Sequence, residues 1–168
     1  MLTNSLLPDN LTTMKICSLL TPDAILLDVA LADKDAVLRF IAQTFVHLGR
    51  ITDADRVYAA LKQREELMST GIGGGLGIPH AFSSEIGEVG LLLIRLARPI
   101  PFQALDRKPV DVVIPLIVPG NETSLHLHAL GGISGLCRKP GFLKKVRTFK
   151  DAGLLLEEIR KAEETGNS

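Results

Sequence analysis

Apolar residues recur along this chain at helical spacing in its first third and its last third, and in nearly unbroken runs between them. Val37, Ile41, Thr44, Phe45 and Leu48 form one helical stripe, with Asp33 placed to cap it and Gly49 to stop it. A second stripe follows through Val57, Ala60, Leu61 and Arg64 as far as Met68, and Thr52 with Asp55 makes a loose capping box for it. The segments Glu88 to Ala97 and Asp111 to Val118 are almost continuously apolar, the pattern of buried strands. Pro115 lies inside the second run, which predicts an edge, a bulge or a strand end there. Between the runs, Arg98 to Pro109 holds three prolines and reads as a turn-rich connection. Asn121 or Thr123 can cap a further helix through Leu136. Gly131, Gly132 and Gly135 each weaken that helix by roughly 0.5–1 kcal/mol against alanine, so close packing on a neighbouring backbone must hold it. Pro140 opens a short helix to Val146, and Asp151 caps the last, which carries Leu154, Leu155, Ile159 and Arg160. Helices interleaved with apolar strands predict an α/β sandwich.

Composition narrows the class. With 168 residues, 46% of them hydrophobic, the chain suits one domain with a single core. That domain starts near Ile16, after a lead-in of mixed polarity, and a polar tail follows it. Nineteen basic and nineteen acidic residues cancel, and no basic stripe interleaved with aromatics is present, which excludes the usual electrostatics of a nucleic-acid binder. No apolar run approaches the ~20 residues needed to cross a bilayer, and no basic and apolar leader opens the chain, so a cytoplasmic protein without membrane insertion is expected. Cys17 and Cys137 are isolated thiols, consistent with a reducing compartment.

The candidate chemistry centres on Gly71 to His80, where five of ten residues are glycine and the stretch ends in Pro79-His80. Glycine amides can converge on a small anion, and Pro79 stiffens the backbone that presents the imidazole. The nucleotide motifs fail here: there is no Gly-Lys-Ser/Thr ending and no Gly-x-Gly-x-x-Gly frame. A tight connection beside an ordinary surface histidine is the competing reading. Arg64, seven residues before Gly71, can lean over the loop and hold a phosphoryl group by two hydrogen bonds. In Leu125-His126-Leu127-His128, the two histidines face different ways on a helix, so only one can face a given site. A three-histidine zinc site with His80 is a minor alternative without an acidic partner, and no metal or cofactor is expected. His47 reads as a solvated residue near a helix end.

Arg64-Glu65-Glu66-Leu67-Met68-Ser69-Thr70-Gly71-Ile72-Gly73 followed by Ile78-Pro79-His80-Ala81 resembles the phosphorylation-site signature of enzyme IIA, fructose/mannitol type, of the bacterial phosphoenolpyruvate-dependent phosphotransferase system. Pro101 to Asp106, Pro109-Val110-Asp111 and His126 to Leu130 resemble further blocks of that family in the same order, and Ser-Thr-Gly-Ile-Gly with His-Leu-His is most similar to its nitrogen-regulatory branch. Gly77 departs from the alanine and Ala81 from the glycine usual in the family. The resemblance implies a single-domain α/β sandwich over residues 16–162, with a mixed sheet of about five strands flanked by helices on both sides. It implies His80 as the phosphoacceptor, Arg64 and His126 in contact with the phosphoryl group, and Ser69, Thr70, Gly71 and Gly73 as weaker phosphate contacts. It also implies an HPr-type phosphocarrier as donor, and either regulatory target proteins or a sugar-specific enzyme IIB downstream. A non-catalytic module holding a phosphate-bearing ligand is the alternative from another class.

Overall fold

Aspartates start three of the helices in the computed structural model, which describes residues 14–165. Asp33 accepts the Ala36 N–H at 2.8 Å to open α1 (Lys34–His47), and Asp151 accepts the Leu154 N–H at 2.8 Å to open α5 (Ala152–Glu164). Each such cap is worth about 1 kcal/mol. The second helix, α2 (Ala54–Leu67), is capped by Asp53 through the Arg56 N–H, not by the expected Thr52 box; the Thr52 hydroxyl turns instead to Glu85. For α3 (Thr123–Cys137) neither Asn121 nor Thr123 is the cap: Glu122 holds that position without a side-chain bond. The short α4 (Phe142–Thr148) starts after Gly141, whose left-handed φ of +80° no side chain favours, rather than at Pro140.

The two apolar runs do form strands, but each is cut in two. The first contains β5 (Gly90–Leu91) and β6 (Leu93–Ile100); the second contains β7 (Val110–Val113) and β8 (Leu116–Pro119), with Pro115 at the break. The glycine-dense stretch is likewise strand rather than loop, forming β2 (Gly71–Gly73), β3 (Leu76–Gly77) and, after Pro79, β4 (His80–Ser83). With β1 (Ile25–Val29), which the sequence pattern did not single out, five strands make one mixed sheet in the order β1-β6-β7-β3-β2. That is the expected sheet. A second, three-stranded sheet, β4-β8-β5, was not anticipated.

The two sheets share a seam. Three segments cross it side by side: Gly77 to His80, Leu91 to Leu93, and Val113 to Leu116. Backbone bonds stitch the crossing itself, from Ile114 N–H to Gly77 O at 2.9 Å, Leu116 N–H to Pro79 O at 2.9 Å, and Leu92 N–H to Pro115 O at 3.2 Å. Each proline lacks a donor, yet its carbonyl still accepts a bond across the crossing.

Helix α2 packs on α1 and β4, α3 on β8, and α5 on β1. The buried Arg95 of β6 ties distant parts together: it pairs with Asp28 through two 3.0 Å bonds and donates to the carbonyls of Val146 and Phe149 at the end of α4. The last helix runs through Glu164, past the expected start of the polar tail. Glu163 accepts the backbone N–H groups of Ile16 and Cys17, both at 2.7 Å. The lead-in up to residue 13 lies outside the described residues.

Candidate active site

One face of α2 meets the start of β4 in a cleft of about 270 Å³. Ala60, Gln63, Arg64 and Leu67 project into it from successive turns, the i, i+3, i+4, i+7 positions of a single helix face. From the other side come His80, Ala81 and Phe82 of β4, and His126 from the early part of α3. The rings of His80 and His126 lie 4.9 Å apart between centroids and tilted by 41°, and the Phe82 ring lies 5.1 Å from that of His126.

The tautomer of His80 follows from its partner. Nδ1 lies 2.6 Å from the carbonyl oxygen of Ile78, and a carbonyl can only accept, so Nδ1 carries the proton. Nε2 is then left with its lone pair. Burial pushes the proton affinity of His80 below the ordinary value of 6.5, with Arg64 acting in the same direction and the Ile78 bond and Glu65 acting against it. His126 is lowered too, by burial first and then by His80 and Arg64. Its Nε2 is buried and has no hydrogen-bond partner among the described residues. Arg64 donates from one guanidinium nitrogen, Nη1, to the carbonyl of Met68 at 2.9 Å, which closes the end of α2. The arrangement offers a neutral nucleophilic nitrogen with a guanidinium and a second imidazole on the same cleft, a donor set suited to an anionic group.

The other residues read from the sequence lie elsewhere. Ser69, Thr70, Gly71 and Gly73 do not line this cleft. The Ser69 hydroxyl donates to Phe102 O and accepts the Gly71 N–H, while both the N–H and the hydroxyl of Thr70 go to the Glu65 carboxylate. The expected glycine cradle is a β-hairpin turned by Gly74 and Gly75, with φ of +66° and +82°. The anion that its Gly74 N–H meets is the chain's own Asp106, and Arg147 clamps the turn from Asp111 to Gly74 O. His128 is outside the cleft, and His47 is an exposed residue. Among the described residues no group of three His, Cys, Asp or Glu side chains is arranged to hold a metal ion, so the three-histidine zinc reading has no ligand set. Cys137 is pushed up to about 12 by burial, which keeps it a thiol. The lining residues Gln63, Leu67 and Phe82 were not picked out from sequence, although the periodicity of α2 around Arg64 already places Ala60, Gln63 and Leu67 beside it.

A family model described as "Phosphoenolpyruvate-dependent sugar phosphotransferase system, EIIA 2" matches residues 18–162. The chain belongs to this family. This EIIA chain is 35% identical over 139 residues to a nitrogen regulatory protein of Bradyrhizobium diazoefficiens, covering 83% of itself and 90% of the relative. It is 34% identical over 118 residues to the fructose-specific EIIA component of Haloferax volcanii, covering 70% of itself and 77% of the relative. Among solved structures, the nitrogen regulatory protein IIA-Ntr of Neisseria meningitidis superposes with a TM-score of 0.79 at 27% identity, over 86% of this chain and 98% of the other. No helix among the described residues of this EIIA chain is long and apolar enough to cross a membrane.

Proposed function

We propose that the protein is a cytoplasmic phosphocarrier that accepts a phosphoryl group on Nε2 of His80 from an HPr-type phosphohistidine protein. The observation that carries this reading is the 2.6 Å contact between His80 Nδ1 and the Ile78 carbonyl, which leaves Nε2 free as a nucleophile. In the transfer, the Nε2 lone pair forms the new N–P bond as the donor's N–P bond breaks, and the donor imidazole leaves with its electron pair. The accepting ring gains positive character, and the Ile78 carbonyl stabilises it through the Nδ1 proton. Arg64 and His126 face the same cleft and serve the equatorial phosphoryl oxygens. Positioning and charge stabilisation account for the chemistry without a metal ligand.

The similarity to nitrogen regulatory proteins favours a role in which the phosphorylation state is the signal. A phosphoryl group adds up to about two negative charges beside Leu67, a residue 80% exposed at the cleft, and so changes what that surface can dock. The similarity to a fructose-specific component favours a second reading, in which the group passes on to an enzyme IIB. Incubation with phosphoenolpyruvate, the system's first enzyme and an HPr-type carrier should add about 80 Da in an acid-labile adduct. The His80→Ala variant should take no label. No adduct with competent donors, or one that survives His80→Ala, overturns the reading and leaves a ligand-binding module. Loss of label on adding a purified IIB would select the sugar-transfer route.

A further inference from the structure

Glu65 is 7% exposed and carries a carboxylate where a buried charge costs several kcal/mol unless it is fully paired. It is fully paired. Oε1 accepts the Thr70 N–H at 2.9 Å and meets Lys34 Nζ at 2.8 Å, and Oε2 accepts the Thr70 hydroxyl at 2.6 Å. Thr70, held at both donors, presents its carbonyl to the Ile78 N–H at 3.0 Å. Ile78 in turn presents its own carbonyl to His80 Nδ1 at 2.6 Å. Arg64 and Glu65 are neighbours on the same helix: one turns to the cleft, and the other reaches the chain segment that leads to the imidazole.

From this chain of contacts we propose that Glu65 is a positioning residue for His80, pinning Thr70 so that the Ile78 carbonyl fixes the imidazole in its Nδ1–H tautomer. The effect is mechanical. The bonds run through different peptide units, so what passes along them is the placement of Thr70 O and then of Ile78 O. Thr70 is thereby a second positioning residue, and its hydroxyl serves the carboxylate, not a phosphoryl group. The field of Glu65 acts in the same sense, supporting proton affinity on His80 against burial and Arg64.

This inference rests on His80 being the phosphoacceptor, and its test separates the two. Imidazole nitrogen shifts in the 15N-labelled full-length protein report the His80 tautomer with no donor present. The unaltered protein should show mainly Nδ1–H. Glu65→Gln cannot accept both Thr70 donors and Lys34 at once, and Thr70→Val removes the hydroxyl at nearly constant volume; both should raise the Nε2–H fraction. Thr70→Ser should restore the original tautomer. With a competent HPr-type donor, both disruptive variants should accept label roughly tenfold more slowly at saturating donor while the half-saturating donor concentration is unchanged. Thr70→Val carries the test if Glu65→Gln does not fold. A folded Thr70→Val or Glu65→Gln with the original tautomer and rate overturns the proposal. An unaltered protein that accepts no label overturns the phosphoacceptor reading, and the tautomer shifts then decide the positioning role alone.

Discussion

At His80 and His126 the same burial that keeps both rings neutral also makes the fold sensitive to acid. Both bind protons more weakly in the folded chain than the ordinary 6.5, so the unfolded chain takes up protons first as pH falls. Their contribution to stability is whole above that value and is lost as pH drops through the lowered folded values. Melting temperature should therefore fall as pH drops below about 6.5, and less steeply in His126→Gln; equal slopes would remove His126 as a source. Arg64→Ala should slow phosphoryl acceptance on the order of a hundredfold with little change in melting temperature, because its side-chain bond among the described residues is the exposed one to Met68. Stopped-flow transfer kinetics beside thermal unfolding check both halves. Of the site, the residues themselves singled out His80 and Arg64, while the choice of His126 over His128 came only with the resemblance; all three line one cleft because α2, β4 and α3 meet there. Ser69, Thr70, Gly71 and Gly73, which the resemblance implied as weaker phosphate contacts, do not line the cleft. Pro79 and the strand switch carry His80 away from them.

The helices are the most legible elements, since Asp33 and Asp151 announce starts that the apolar period then extends. Among the strands only β5 to β8 were legible, as two apolar runs and not as pairs, because burial continues unbroken across the break in each run and only Pro115 marks one of them. Leu92 carries no such mark. Within α3 the structure separates glycines that the sequence treats alike. A Cβ on Gly132 would lie 2.4 Å from the Met14 carbonyl oxygen, whereas Gly131 and Gly135 have nothing within 4 Å. Gly132→Ala should cost roughly 1–3 kcal/mol through overpacking against backbone. Gly131→Ala and Gly135→Ala should each add roughly 0.5–1 kcal/mol by helix propensity. Denaturant midpoints of the three variants test this, and a common sign for all three would contradict the packing described.

Across the whole molecule, the described chain is closed on itself where Glu163 of the last helix accepts the backbone N–H groups of Ile16 and Cys17 in its first described turn. Glu163→Ala should lower stability by about 1–3 kcal/mol, and earlier protease cleavage near Ile16 should accompany the drop in melting temperature. No local pattern foretold that contact, which spans almost the full length of the chain. The seam between the sheets has a consequence of a different kind. Strand side chains alternate in direction, so one residue deleted between Gly77 and His80 would slip the register of β4 against β8 and turn the imidazole to the opposite face. Such a chain could still bury its apolar strands, yet it would present Ala81 to the cleft where the histidine had been. Length, as much as residue identity, is therefore under constraint in this four-residue crossing, and insertions or deletions should be tolerated in the surface turns long before they are tolerated here.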